Sequence, residues 1–90
     1  MAIDTFSNVF SCAHRIIPGN IEQEHFMLLV DISTIRSDKI IKALNDYFVL
    51  GESRAKVCEK YNVNQGYLSL KIKELQVLSA KVYNLFPYYA

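Results

Sequence analysis

Between Ser53 and Leu75 the run SRAKVCEKYNVNQGYLSLKIKEL sets its apolar and small residues where two helices crossing over a short turn need them. Ser53 is placed to cap a first helix by accepting a backbone N–H, and Val57, Cys58 and Tyr61 then share one face. Asn62 takes the turn position that requires a left-handed backbone, which Asn tolerates better than any residue but Gly. Val63 points back into the crossing, and Asn64 caps a second helix whose buried stripe is Leu68, Ile72 and Leu75. Gln65, Gly66, Tyr67, Ser69 and Lys73 are left on the outer side. The spacing predicts a helix-turn-helix over about 53–75, a motif whose second helix enters the major groove of DNA. The strongest examples carry Ala at the Cys58 position, Gly at the Asn62 position and an apolar residue at Lys71. Here Cys58 serves as a small hydrophobe, and Ile72 supplies the anchor that Lys71 does not.

Two helices can also be held at such an angle for packing alone, so the charge pattern bears on the reading. With 10 basic and 9 acidic residues the chain is nearly neutral, at +1. That total hides an asymmetry. From residue 53 onward Arg54, Lys56, Lys60, Lys71, Lys73 and Lys81 stand against Glu59 and Glu74, a local charge of +4, and the first 52 residues carry −3. A basic helix-turn-helix on a neutral chain is what a domain that presents one face to phosphates requires. A charge run is otherwise a solvated helix face.

Ninety residues are near the lower limit for one hydrophobic core, so a single domain is expected and association between chains would help it. Composition is that of an ordered globular protein, with 51% apolar residues and no repeat or low-complexity stretch. No apolar run approaches the ~18 residues of a membrane span, and Met1 to Phe10 lacks the layout of a secretion signal. A cytoplasmic protein without membrane contact is expected, with Cys12 and Cys58 as free thiols and Cys58 in the core.

Upstream, Pro18 and Gly19 mark a turn that separates an N-terminal arm, residues 1–20, from a single helical domain over 21–90. The block Phe26-Met27-Leu28-Leu29-Val30 reads as buried on all sides, in either a central core helix or a subunit interface. Ser37 caps the next helix, where Ile40, Ile41, Leu44, Tyr47 and Phe48 form a core stripe that Gly51 ends; Lys39, Lys42 and Asp46 fall on its other face.

The helix opened by Asn64 is longer than reading DNA requires. Leu78, Val82 and Leu85 continue its core stripe, and Leu70 with Val77 makes a second one, before Pro87 stops it. A second stripe needs a second surface: either a homo-oligomer, dimer or higher, built on Leu70, Val77, Leu78, Val82 and Leu85 and on the aromatic end Tyr83, Phe86, Tyr88 and Tyr89, or the arm Ile3 to Ile17 folded back over it. The fold class expected is all-α, a small helical domain with a helix-turn-helix and a long C-terminal helix for reading and oligomerisation.

These residues carry a resemblance. Ser53-Arg54, Val57-Cys58-Glu59-Lys60-Tyr61, Asn64 and Gly66-Tyr67, with His25-Phe26, Leu28-Leu29, Ile32-Ser33 and Ser37-Asp38 upstream and Pro87-Tyr88-Tyr89 at the end, resemble the PapB family of fimbrial (adhesin biosynthesis) transcription regulators. The likeness runs from about Glu24 to Tyr89, and the first twenty residues fall outside it. It implies an all-helical, nucleoid-associated bacterial regulator that oligomerises on AT-rich repeats upstream of adhesin operons and activates or represses them. Minor-groove recognition is implicated in that family, so the groove stays open.

Residue chemistry fits double-stranded DNA. Gly66 lets the helix N-terminus approach a phosphate, where free N–H groups and the helix dipole favour negative charge, or it relieves crowding at the crossing. Gln65 can pair bidentately with adenine, and Tyr67 can stack on sugar or touch a thymine methyl, or be partly core. Lys71, Lys73, Arg54 and Lys56 would neutralise phosphates.

No enzyme is indicated. The chain has no glycine-rich phosphate loop, nucleophile elbow or framed carboxylate pair, and nothing suggests a small-molecule ligand or cofactor. Cys12, His14, His25 and Cys58 lack metal-ligand spacing, so no metal is expected. The rival reading is a helical interaction adaptor whose helix-turn-helix contacts protein rather than DNA.

Overall fold

The structure, a computed structural model, describes residues 16–89. These form α1 (Gln23–Ile32), α2 (Asp38–Phe48), α3 (Arg54–Tyr61) and α4 (Gln65–Leu85), followed by a 3-10 turn over Phe86–Tyr88 that contains Pro87. Four helices and no strand occur among the described residues, which makes the domain all-α. The caps foreseen for α2, α3 and α4 are in place: the side chains of Ser37, Ser53 and Asn64 accept from Ile40, Lys56 and Tyr67 backbone N–H groups. Each cap is worth about 1 kcal/mol over alanine, since it satisfies one N–H that a helix start leaves without a partner.

One core gathers all four helices. Phe26, Leu29 and Val30 of α1 meet Ile40, Ala43, Leu44 and Phe48 of α2, Val57 and Cys58 of α3, and Leu68, Ile72 and Leu75 of α4. Phe48 is central: its ring lies 6.5 Å from Phe26 and edge-on to Tyr47 at 5.0 Å. Full burial of each such side chain contributes roughly 1.5–3 kcal/mol, which offsets the entropy of ordering the short helices.

Two expectations need correcting. Within one chain the Phe26–Val30 block is not buried on all sides, for Met27 is 47% and Leu28 62% exposed, so it is not a central core helix, and of the two expected settings the subunit interface is the one left. Five successive residues turn through more than a full helical circle, and α1 has α2 and α4 packed on one side of it. Asp46 does not face outward with Lys39 and Lys42; it is buried because α3 packs over that edge of α2.

Gly51 acts differently from a simple helix end. α2 stops at Phe48, and Gly51 lies three residues on at φ +78°, against Gly19 at φ +81°. A Cβ on either would sit 3.2–3.3 Å from the other's Cα, and Gly19 N–H donates to the Phe48 carbonyl at 2.7 Å. Both left-handed backbones and this close approach favour glycine. The contact ties the residues before α1 to the α2–α3 link.

Ile16 is buried in the core, and its backbone N–H and C=O both pair with the Gln76 side chain at 2.8 Å. The last residues of the arm therefore pack on α4; residues 1–15, with most of the arm and with Cys12 and His14, lie outside the described residues.

Candidate nucleic-acid interface

The turn between α3 and α4 has the backbone its sequence asks for. Asn62 is left-handed at φ 55°, ψ 53°, and its N–H and that of Val63 both donate to the Cys58 carbonyl. Asn64 then returns to extended backbone at φ −67°, ψ 134° and caps α4. The apolar faces of both helices are spent on the core, with Val63 and Tyr61 packed against it. What remains outside is a shallow notch lined by Ser53, Ala55, Lys56, Glu59, Val63 and Gln65.

The structure brings some of the expected residues together and separates others. Lys56 and Gln65 line this notch and are exposed, and Gly66, the next residue of α4, is exposed as well. Asn64 is exposed, but its side-chain oxygen is engaged by the Tyr67 N–H at 3.1 Å. A Cβ on Gly66 would stand 3.1 Å from that same oxygen, so the glycine makes room for the cap rather than relieving the helix crossing. Ser69 is half-buried and Lys73 exposed further along α4. Arg54 is turned away from the notch, its guanidinium 5.8 Å from the centre of the Tyr47 ring.

Lys71 is the clearest departure from the expected roles. Its ammonium lies 3.2 Å from the Glu74 carboxylate and 5.3 Å from the centre of the Tyr67 ring, with its side chain only 20% exposed. Its charge is therefore partly compensated within α4. Tyr67, at 46% exposed, stands on that side of the helix.

Behind the notch is a polar lock that the sequence did not disclose. Asp46 of α2 accepts from Lys60 Nζ and Tyr61 Oη of α3, both at 2.8 Å. Burial pushes the Asp46 carboxyl up, but the hydrogen bonds from Lys60 and Tyr61, the Lys60 charge and a bond from Asn45 outweigh it and hold the carboxyl below its ordinary value. The hydrogen bond to Asp46 raises both Lys60 and Tyr61. Glu52, whose buried Oε1 has no hydrogen-bond partner among the described residues, adds a second negative charge toward Lys60. Lys39 of α2 also reaches the turn, donating to the Asn62 carbonyl at 3.4 Å. Neither Asp46 nor Lys39 is close to the motif in sequence, and each sits at the border of the α2 stripe, so no periodicity singled them out.

The lock predicts a particular acid limb. Because the folded carboxyl is more acidic than the unfolded one, its contribution is fully present above the unfolded value, about 4, and is lost as pH falls through the folded value. Lys60 and Tyr61, being raised, contribute below their unfolded values, about 10, and lose that contribution as pH rises through the folded ones. Asp46→Asn is expected to cost about 1–2 kcal/mol at neutral pH, the range for a charge-assisted bond to a half-exposed partner. In urea denaturation across a pH series the gap to wild type should close below about pH 4. A gap that stayed constant would show that the charge contributes nothing.

With the geometry established, comparison with known proteins gives the family. The profile of the adhesin biosynthesis transcription regulatory proteins, PapB, matches residues 2–89. The chain belongs to the PapB family. The match takes in residues 2–20 too, a stretch that carried no motif legible in the sequence alone. Regulatory protein FanB of Escherichia coli is 49% identical over 73 residues, 81% of this chain and 74% of FanB. PapB itself, the regulatory protein of a major pilus subunit operon in Escherichia coli, is 47% identical over 74 residues, 82% of this chain and 71% of PapB. The crystal structure of Escherichia coli FocB has a TM-score of 0.82 at 38% identity, with all of both chains covered. The chain is thus a transcription regulator of the fimbrial and adhesin class, and its PapB-family fold is the one described above. No helix among the described residues is long and apolar enough to cross a membrane.

The long α4 of this PapB-family member divides the expected oligomer residues between two surfaces. Leu70, Val77 and Leu78 line a groove with Ile32, and Leu78 also packs against the core. Val82 instead lines a hollow on another side of α4 with Ile17, Ile21, Tyr83 and Phe86. Val82 and Leu85 are 39% and 50% exposed, because α4 runs past the core there.

Proposed function

We propose that this chain binds AT-rich double-stranded DNA cooperatively as a homo-oligomer and so regulates a bacterial adhesin operon in the cytoplasm. One observation carries the reading. Gln65, the first residue of α4, shares an exposed notch with Lys56, while the apolar faces of the same helices are consumed by the core. Phosphate would sit on the α4 N-terminus and Lys56, with Gln65 presented to base edges. Asn64 shapes the notch through its cap, and Gly66 leaves space for both cap and ligand. Ser69 and Lys73 extend the contact along α4, Arg54 and Tyr67 lie at its margins, and Lys71 makes the weaker contribution of a paired charge. The relatives named as adhesin or pilus operon regulators supply the class of gene controlled.

The test is a mobility shift on AT-rich and GC-rich duplexes over a range of salt. Neutralising four or five phosphates predicts a log–log slope of about −3 to −5 per bound subunit, with tighter binding to the AT-rich duplex. A slope near zero, or no shift at low salt, would falsify DNA binding and favour the adaptor reading, which the exposed Leu70 on α4 would then serve.

A further inference from the structure

At the end of α1, Ile32 faces Leu70, Val77 and Leu78 of α4 across an open groove with Lys73 and Lys81 among its lining. Ile32 is 57% and Leu70 53% exposed, and the apolar strip continues one turn back along α1 to Leu28, 62% exposed. The two walls differ in charge. On the α1 side Glu24 and Asp31 are exposed, and the nearby Arg36 has its guanidinium drawn onto the Val30 and Ile35 carbonyls. On the α4 side Lys81 is exposed and Glu74 is paired with Lys71, while Lys73 lies at the groove edge next to the Ser69 face and is kept for the DNA contact proposed above.

We infer that this groove is the contact between two copies of the chain, with the acidic α1 strip of each packed on the basic α4 strip of the other. Within one molecule the strips lie side by side as walls of the same groove, so neither can cover the other. A two-fold axis through the groove exchanges the walls and satisfies both strips at once, which is the condition for a closed, isologous dimer. The opposite charges on the two strips select a second copy over an unrelated apolar partner. The inference rests on the homo-oligomer proposed above and gives it a surface: Leu28 and Ile32 join Leu70 and Val77, and Val82 is left out.

The mass of the full chain in sedimentation, with helix content from circular dichroism, tests this through two variants at positions more than half exposed. Wild type should be a dimer, and Leu28→Arg and Leu70→Glu should each be monomeric with unchanged helix content. Mixed in equal amounts they should return to the dimer mass, because one α1–α4 contact is then native and the other brings a guanidinium to a carboxylate. A monomeric wild type, variants that keep the dimer mass, or a mixture that stays monomeric would each overturn the inference. If either variant lost helix content, Asp31→Lys and Lys81→Glu, measured singly and mixed, would be judged by the same masses. Variants that keep the dimer mass defeat this surface alone, a monomeric wild type that still shifts DNA defeats the homo-oligomer with it, and a dimer that binds no DNA defeats only the DNA-binding reading.

Discussion

Truncating Phe48 to alanine is expected to remove about 3–5 kcal/mol of stability, the range for emptying a buried aromatic site. A 90-residue domain has roughly 5–13 kcal/mol in all, so this one change takes about a quarter of it or more. Phe48 is fully buried between α1 and α2 and holds both Phe26 and Tyr47 through ring contacts. The loss should appear in urea denaturation as a lower midpoint with an unchanged slope, and DNA binding should fail together with folding as denaturant rises. Leu28→Ala at a 62% exposed position serves as the contrast, with a change within about 0.5 kcal/mol under conditions where the chain is monomeric. A loss below about 1 kcal/mol at Phe48 would contradict the packing described.

The largest effect on the proposed activity is expected from Lys56→Glu. It reverses a charge at the mouth of the notch, where Glu59 already supplies a carboxylate. Affinity for every duplex should fall by an order of magnitude or more at low salt, and the salt slope should flatten by about one for the lost phosphate contact. Gln65→Ala should behave otherwise, costing about 1–3 kcal/mol on the preferred sequence and little on others. Lys71→Ala should cost less than Lys56→Ala, because Glu74 and the Tyr67 ring already hold its ammonium. Mobility shifts on matched specific and unrelated duplexes measure all four. Equal losses from Gln65→Ala on both duplexes would show that it reads no base, and a larger loss from Lys71 than from Lys56 would move the binding face to the Tyr67 side of α4.

The sequence by itself determined the helix-turn-helix, because its signals are local. Ser53, Asn62 and Asn64 act on backbone atoms within a few residues of themselves, and the stripe Val57, Cys58, Leu68, Ile72 and Leu75 has the helical period. Ser37 and the α2 stripe were legible for the same reason. Only the tertiary structure decided which faces are covered. Periodicity says that a side chain lies on one side of a helix, and the neighbouring helices say whether that side meets protein or water. That is why Leu28 is exposed within an unbroken apolar block, why Asp46 is buried under α3, and why Leu70 and Val82 belong to different surfaces of one helix. It is also why Lys71 and Lys56, each with a glutamate three residues on, differ in the fold: Lys71 is paired with Glu74 at 3.2 Å, and Lys56 lies open at the mouth of the notch.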